Sequence, residues 1–182
     1  HREMRIVRLG QGVDATGEFA PEALARTEAA LADYVALMRE HEVARVRMVA
    51  TSAARDAGNR DEFFAMTADL LGCVSAGAIA EVITGDEEAR LSFRGAVGEL
   101  DAADGPFVVT DLGGGSTEVV LGDADGVTAA YSADIGCVRL TERCLPSDPP
   151  TPAEVSAAQA FTRERLAEAF AAVPVDGART WV

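Results

Sequence analysis

Apolar positions along this chain switch between a period of two and a period near 3.6, and the switches lay out an alternation of strands and helices. Met4 to Leu9 alternates apolar and charged side chains and reads as a strand, with "GQGVDATGEFA" after it as a loop. Pro21 opens a helix to about Glu42 with Leu24, Leu31, Val35 and Met38 on one face. Val43 to Ala50 reads as a strand, "TSAARDAGN" as a polar turn or short helix, and Arg60 to Leu71 as a helix. A strand at Ile79 to Thr84 leads into the helical "GDEEARLSFRGAVGEL". Strands follow at Phe107–Leu112, Thr117–Leu121 and Val127–Ser132, the first two as an antiparallel hairpin. A short helix starts near Cys137, "PSDPPTP" is a linker or tight loop, and a long helix runs from Pro152 to Val173. In that helix Val155, Phe161, Leu166 and Phe170 are the side chains available for packing. Arg179 to Val182 begins a last strand. The pattern is α/β, with mixed sheets flanked by helices. The polar turn "DAADG" at 101–105 divides it into a first domain, 1–102, and a second, 103–182.

Composition removes several chemistries. The chain has 182 residues and 48% hydrophobic content, enough for a buried core. No apolar run approaches the roughly 20 residues of a membrane span. "HREMRIVRLG" contains no signal-peptide core, so a cytoplasmic location is expected. The net charge is −14 and no basic stripe exists, which argues against a nucleic-acid groove. All 16 basic residues are arginine. Without lysine there is no Walker A loop and no Schiff base. Cys73, Cys137 and Cys144 lack metal-ligand spacing and stand far from His1 and His41, so zinc is not expected. Carboxylates, arginines and backbone amides remain as machinery.

Three stretches gather those groups. In "VVTDLGGGSTEVVLG", Asp111 ends a buried strand, and Gly113, Gly114 and Gly115 permit φ > 0 and close approach of the backbone to a ligand. Successive amides in such a turn form an anion nest, and Ser116 adds a hydroxyl on the same strand face as Glu118. The competing reading is a glycine hairpin with incidental polar neighbours. In "ITGDEEARL", Thr84 and Glu87 have capping-box spacing, which accounts for Glu87 well and Glu88 less completely. A carboxylate at that helix head could take a proton from water. In "TSAARDAGN", Arg55 is either a surface arginine beyond an N-cap or a bidentate phosphate contact.

Together, "RIVRLGQGVDATG", "ATSAARDAGN", "GDEEARLSFRGA" and "DLGGGSTEVVLG" resemble the exopolyphosphatase and guanosine pentaphosphate phosphatase (Ppx/GppA) family. The resemblance covers most of the chain. It implies the actin-like ATPase superfamily, with two ribonuclease-H-like lobes around a cleft. The chain would then be truncated at both ends, with its first lobe lacking the leading strand-turn-strand and the first phosphate loop. It implies that Glu88 is the catalytic base, that Asp111 and Glu118 place a magnesium ion and the attacking water, and that Gly113, Gly114, Gly115, Ser116 and Arg55 bind phosphate. The substrate implied is inorganic polyphosphate or guanosine pentaphosphate, with Mg2+ as cofactor. A homodimeric parent is compatible with it. The runner-up is a non-catalytic nucleotide- or phosphate-binding module of the same superfamily. A sugar or acetate kinase relative is the third reading.

Overall fold

The computed structural model describes residues 1–182. They form two compact units, His1–Ile83 and Thr84–Val182. The division lies earlier in the chain than the turn at 101–105. The helix Gly85–Val97, which precedes that turn, carries Ala89 and Phe93 on an apolar stripe that fits the sheet following it.

The first unit contains helices α1 (Val13–Thr16) and α2 (Pro21–Glu40), strand β1 (Met48–Ala50), helices α3 (Ser52–Asp56) and α4 (Arg60–Leu71), and strand β2 (Ala80–Val82). β1 and β2 pair in parallel, Met48 opposite Ala80, and α3 and α4 form the crossover that parallel pairing requires. Phe19 and Phe63 lie at the centre of one core, with ring centroids 5.7 Å apart. Asn59 fixes the chain there by accepting from the Phe19 amide at 2.7 Å and donating to its carbonyl at 3.1 Å. Leu31 and Val35 of α2 meet Leu71 of α4 in a second cluster.

Two sequence expectations change in this unit. Met4–Leu9 is not a strand: it enters no ladder, and Met4 and Ile6 are 83% and 78% exposed. Alternation fixes which side chains share a face, but a strand also needs a neighbour to receive its hydrogen bonds. The strand expected over Val43–Ala50 shrinks to Met48–Ala50 for the same reason, since β2 offers only three partners.

The second unit contains helix α5 (Gly85–Val97), strands β3 (Phe107–Leu112), β4 (Thr117–Asp123) and β5 (Gly126–Ala133), helices α6 (Cys137–Cys144) and α7 (Pro152–Ala172), and strand β6 (Thr180–Trp181). The strand order is β5-β4-β3-β6; β3 pairs antiparallel with β4 and parallel with β6. Period-two alternation gives the sheet two apolar faces. Phe107, Val109 and Val120 meet Ala89 and Phe93 of α5. Val108, Val119 and Leu121 meet Ala169 and, just beyond α7, Val173. β4 is therefore buried from Thr117 to Gly122.

α7 starts at a capping box, with Thr151 accepting from the Glu154 amide and Glu154 reaching back to the Thr151 amide. Its packing differs from the expected large side chains. Val155 and Phe170 remain 38% and 41% exposed, while Ala158 and Ala169 are buried. Small residues let the helix lie close on the β-branched face of the sheet, and a large side chain at 169 has nowhere to go. Ala169→Leu is expected to cost about 1–3 kcal/mol by overpacking, whereas Phe170→Ser should cost under about 1 kcal/mol. Urea unfolding of the two variants checks the ordering.

Candidate functional site

β3 and β4 end at the pair Leu112–Thr117, and the Gly113 amide donates to the Ser116 carbonyl at 3.0 Å to close the turn. The carbonyls of this turn are bound from one side by α6. The Cys137 amide donates to Gly113 O at 3.0 Å, and the Val138 and Arg139 amides donate to Gly114 O at 2.9 and 3.1 Å. Arg139 Nε donates to Gly115 O at 2.8 Å. In a trans peptide the C=O and the following N–H point in opposite directions. Holding three consecutive carbonyls toward α6 therefore turns the amides of Gly114, Gly115 and Ser116 away from it. None of these three amides donates to an acceptor in the protein. They form the kind of concave donor array that receives an anion.

The glycines serve this turn differently from the sequence expectation. Gly113 and Gly114 do not take the left-handed φ that glycine permits. Close packing explains their neighbourhood better. The Gly136 backbone lies against the turn so tightly that a Cβ there would be 2.3 Å from the Gly114 carbonyl carbon and oxygen and 2.5 Å from Gly115 N. Thr117 Oγ1 also donates to the Ile135 carbonyl, tying the 133–136 segment to the start of β4.

The acids line up across the sheet. Asp111 on β3 is opposite Glu118 on β4, and Glu118 is opposite Ser132 on β5. This row continues the α5-facing side of the sheet, which is apolar at Phe107, Val109 and Val120 and becomes polar next to the glycine turn. α5 covers the row with its N-terminal half. Gly85 abuts Ser132, since a Cβ at Gly85 would lie 3.3 Å from the Ser132 Cβ. Ser92 Oγ donates to Asp111 Oδ2 at 2.7 Å. Thr84 caps the helix by accepting from the Glu87 amide at 3.2 Å, and Glu88 stands half-buried in the first turn.

Glu118 is 1% exposed. Its Oε1 accepts from Ser116 Oγ at 2.8 Å and from Ser132 Oγ at 2.7 Å. Burial raises its pKa above the usual carboxylate value; the two hydroxyls oppose that shift, and the charges of Glu88 and Asp111 add to it. The Ser116 hydroxyl is thus engaged with Glu118, and what Ser116 presents to an anion is its amide.

Asp111 and Glu118 could hold a cation. Two carboxylates opposite each other in an antiparallel pair repel, and a divalent ion would cancel that repulsion. No three His, Cys, Asp or Glu residues converge into a ready-made cage. That donor set fits magnesium, which is commonly held by one or two carboxylates with water and phosphate oxygens completing the shell.

The structure thus brings Glu88, Asp111, Gly113, Gly114, Gly115, Ser116 and Glu118 into the second unit. Arg55 belongs to the first unit, on α3, where its Nη1 donates to the Ile83 carbonyl at 2.9 Å. The sequence reading missed Gly136, Arg139, Ser92 and Ser132. Only Ser132 had a usable signal, since pairing β4 with β5 by alternation places it near Glu118. The other three depend on how α5 and α6 dock.

Two outcomes are expected. Gly136→Ala should destabilise the protein by about 2–4 kcal/mol, because its Cβ meets backbone on the glycine turn; Gly177→Ala, with open space around it, should be near neutral in the same thermal melts. In metal-free buffer, an acid with a raised folded pKa binds more protons folded than unfolded. Its contribution to stability is then lost as pH rises from about 4.3, the unfolded value, through the folded pKa. Glu118→Gln should therefore raise the melting temperature at pH 7 and flatten the pH dependence above about pH 4.3.

Comparison with known proteins identifies the family. The model of the Ppx/GppA phosphatase family matches residues 1–182. Exopolyphosphatase 2 of Mycobacterium tuberculosis is 70% identical over 182 residues, all of this chain and 57% of that protein. Guanosine-5'-triphosphate,3'-diphosphate pyrophosphatase of Photobacterium profundum is 36% identical over 139 residues, 76% of this chain and 27% of that protein. The crystal structure of an exopolyphosphatase-like protein superposes with a TM-score of 0.88 at 44% identity, covering 100% of this chain and 57% of that one. The chain thus spans just over half the length of the first two of these proteins to match it end to end. Its mixed α/β architecture is that of these neighbours, and it belongs to the Ppx/GppA phosphatase family.

Proposed function

We propose that this chain carries the water-activating and phosphate-holding groups of a phosphohydrolase that removes the terminal phosphate from inorganic polyphosphate or guanosine pentaphosphate. One observation carries the reading. Three acceptor-free amides at Gly114, Gly115 and Ser116 adjoin a row of acids, within a chain of net charge −14. An acidic protein with a local array of donors can bind a polyanion there despite its overall charge, because the amides act at contact distance and the distant charges are screened. Polyphosphate is the first substrate to test, because the relative that is 70% identical is named an exopolyphosphatase.

In this reading the amides receive the oxygens of the terminal phosphate and stabilise charge as it shifts during transfer. Glu88 accepts a proton from a water as that water's oxygen bonds to the terminal phosphorus. The bridging P–O bond breaks, and its electron pair leaves with the shortened chain. Asp111 and Glu118 hold the magnesium ion, which when bound neutralises phosphate charge and orients oxygens. Arg55, in the first unit, is proposed as a phosphate-binding residue because a guanidinium is suited to bidentate phosphate contacts.

Phosphate release from long-chain polyphosphate and from guanosine pentaphosphate, with magnesium, tests this in the full-length protein. Glu88→Gln should lower turnover by about 10²–10⁴-fold while the protein stays folded, and EDTA should abolish release. Equal turnover by the folded variant would make Glu88 a helix-terminal acid only and defeat the reading. Binding of polyphosphate without release by the wild-type protein would favour the non-catalytic module.

A further inference from the structure

Three serine hydroxyls from three different segments converge on the two acids of the row. Ser116 in the turn and Ser132 on β5 both donate to Oε1 of Glu118, and Ser92 on α5 donates to Oδ2 of Asp111. A carboxylate oxygen has two lone-pair directions. Two donors therefore fill Oε1 of Glu118 and leave Oε2 with no donor from the protein. Glu118 as a whole is 1% exposed, so Oε2 is an acceptor without a protein donor in a nearly water-free position, where a cation would be its natural partner. Asp111 is held at Oδ2 by the single Ser92 donor, which leaves Oδ1 without a protein donor.

We infer that Ser132 and Ser92 are positioning residues, which fix the rotation of Glu118 and Asp111 so that Oε2 and Oδ1 are the oxygens offered to the divalent cation. The inference rests on the proposed phosphohydrolase reading and deepens it. Ser132 is placed for this by sheet register, directly opposite Glu118. It also abuts Gly85 at the start of α5, so it sets the spacing between β5 and the helix that carries Glu88. Ser92 lies two turns further along α5 and holds Asp111 from the same helix. Each serine directs its hydroxyl proton to a carboxylate oxygen, which is the contact that holds that carboxylate in place. Partners of this kind typically change metal affinity by about 10- to 100-fold when removed.

The test uses the full-length protein and its Ser132→Ala, Ser132→Thr and Ser92→Ala variants. Two quantities are read. One is the rise in melting temperature on titrating magnesium without substrate. The other is the magnesium concentration giving half-maximal phosphate release at saturating polyphosphate. Ser132→Ala and Ser92→Ala should each need about 10- to 100-fold more magnesium in both assays, with the KM for polyphosphate little changed. Ser132→Thr, which keeps the hydroxyl, should restore the wild-type magnesium response. Alanine variants with wild-type magnesium dependence would overturn the assignment, as would failure of a folded Ser132→Thr to restore it. A Glu88→Gln protein that is inactive yet keeps the magnesium-induced stabilisation would uphold the parent reading independently of the serines. A wild-type protein indifferent to magnesium in both assays would overturn the serine assignment and the metal part of the parent reading together.

Discussion

The antiparallel register of β3 against β4 is the constraint on which the site depends. It sets Asp111 opposite Glu118 and leaves four residues, Gly113 to Ser116, to close the hairpin. Side chains alternate with a period of two, so a slip of one residue would send Glu118 into the α7 face, among Val108 and Leu121. The register is specified strongly because β4 is buried on both faces. Val119 and Val120 have separate cores to enter, and neither fits the polar end of the row.

A second constraint follows from the first. The hairpin turn has to dispose of its carbonyls, and α6 takes them. Its N-terminal amides are orphan donors of the kind every helix has. Here they bind the turn instead of a ligand, with Arg139 taking the remaining carbonyl. The helix end is thereby satisfied, and the free donors move one peptide plane across to the amides of Gly114, Gly115 and Ser116. Gly136 is the contact that permits this, because only a backbone without a Cβ can come so near the turn.

Electrostatics explains why such a site needs supports. Glu118 is buried beside Asp111 and Glu88, and both neighbours disfavour its charge. Two hydroxyl donors on a single oxygen offset part of that cost and leave the other oxygen without a protein donor. The N-terminus of α5 lies over the same row, and its partial positive charge also favours carboxylates there.

Much of this was written in the sequence. Residues with strong local signals appear where expected: Pro21 at the head of α2, Arg60–Leu71 as α4, Thr84 as the cap of α5, and the hairpin around "GGGS". Alternation alone put Ser116 and Glu118 on one face. Local patterning could do this because periodicity, capping and turn chemistry act within a few residues. Only tertiary structure decided the rest. Met4–Leu9 alternates like a strand yet finds no ladder, since pairing needs a second segment. α7 packs through Ala169 instead of Phe170 because the width of the gap to the sheet belongs to both elements. The roles of Gly136 and Arg139 arise from the docking of α6 on a turn more than twenty residues earlier in the chain, and that of Ser92 from the docking of α5 on β3. A sequence names the groups that can do chemistry; the contacts between distant segments decide which oxygen, which amide and which hydroxyl face one another.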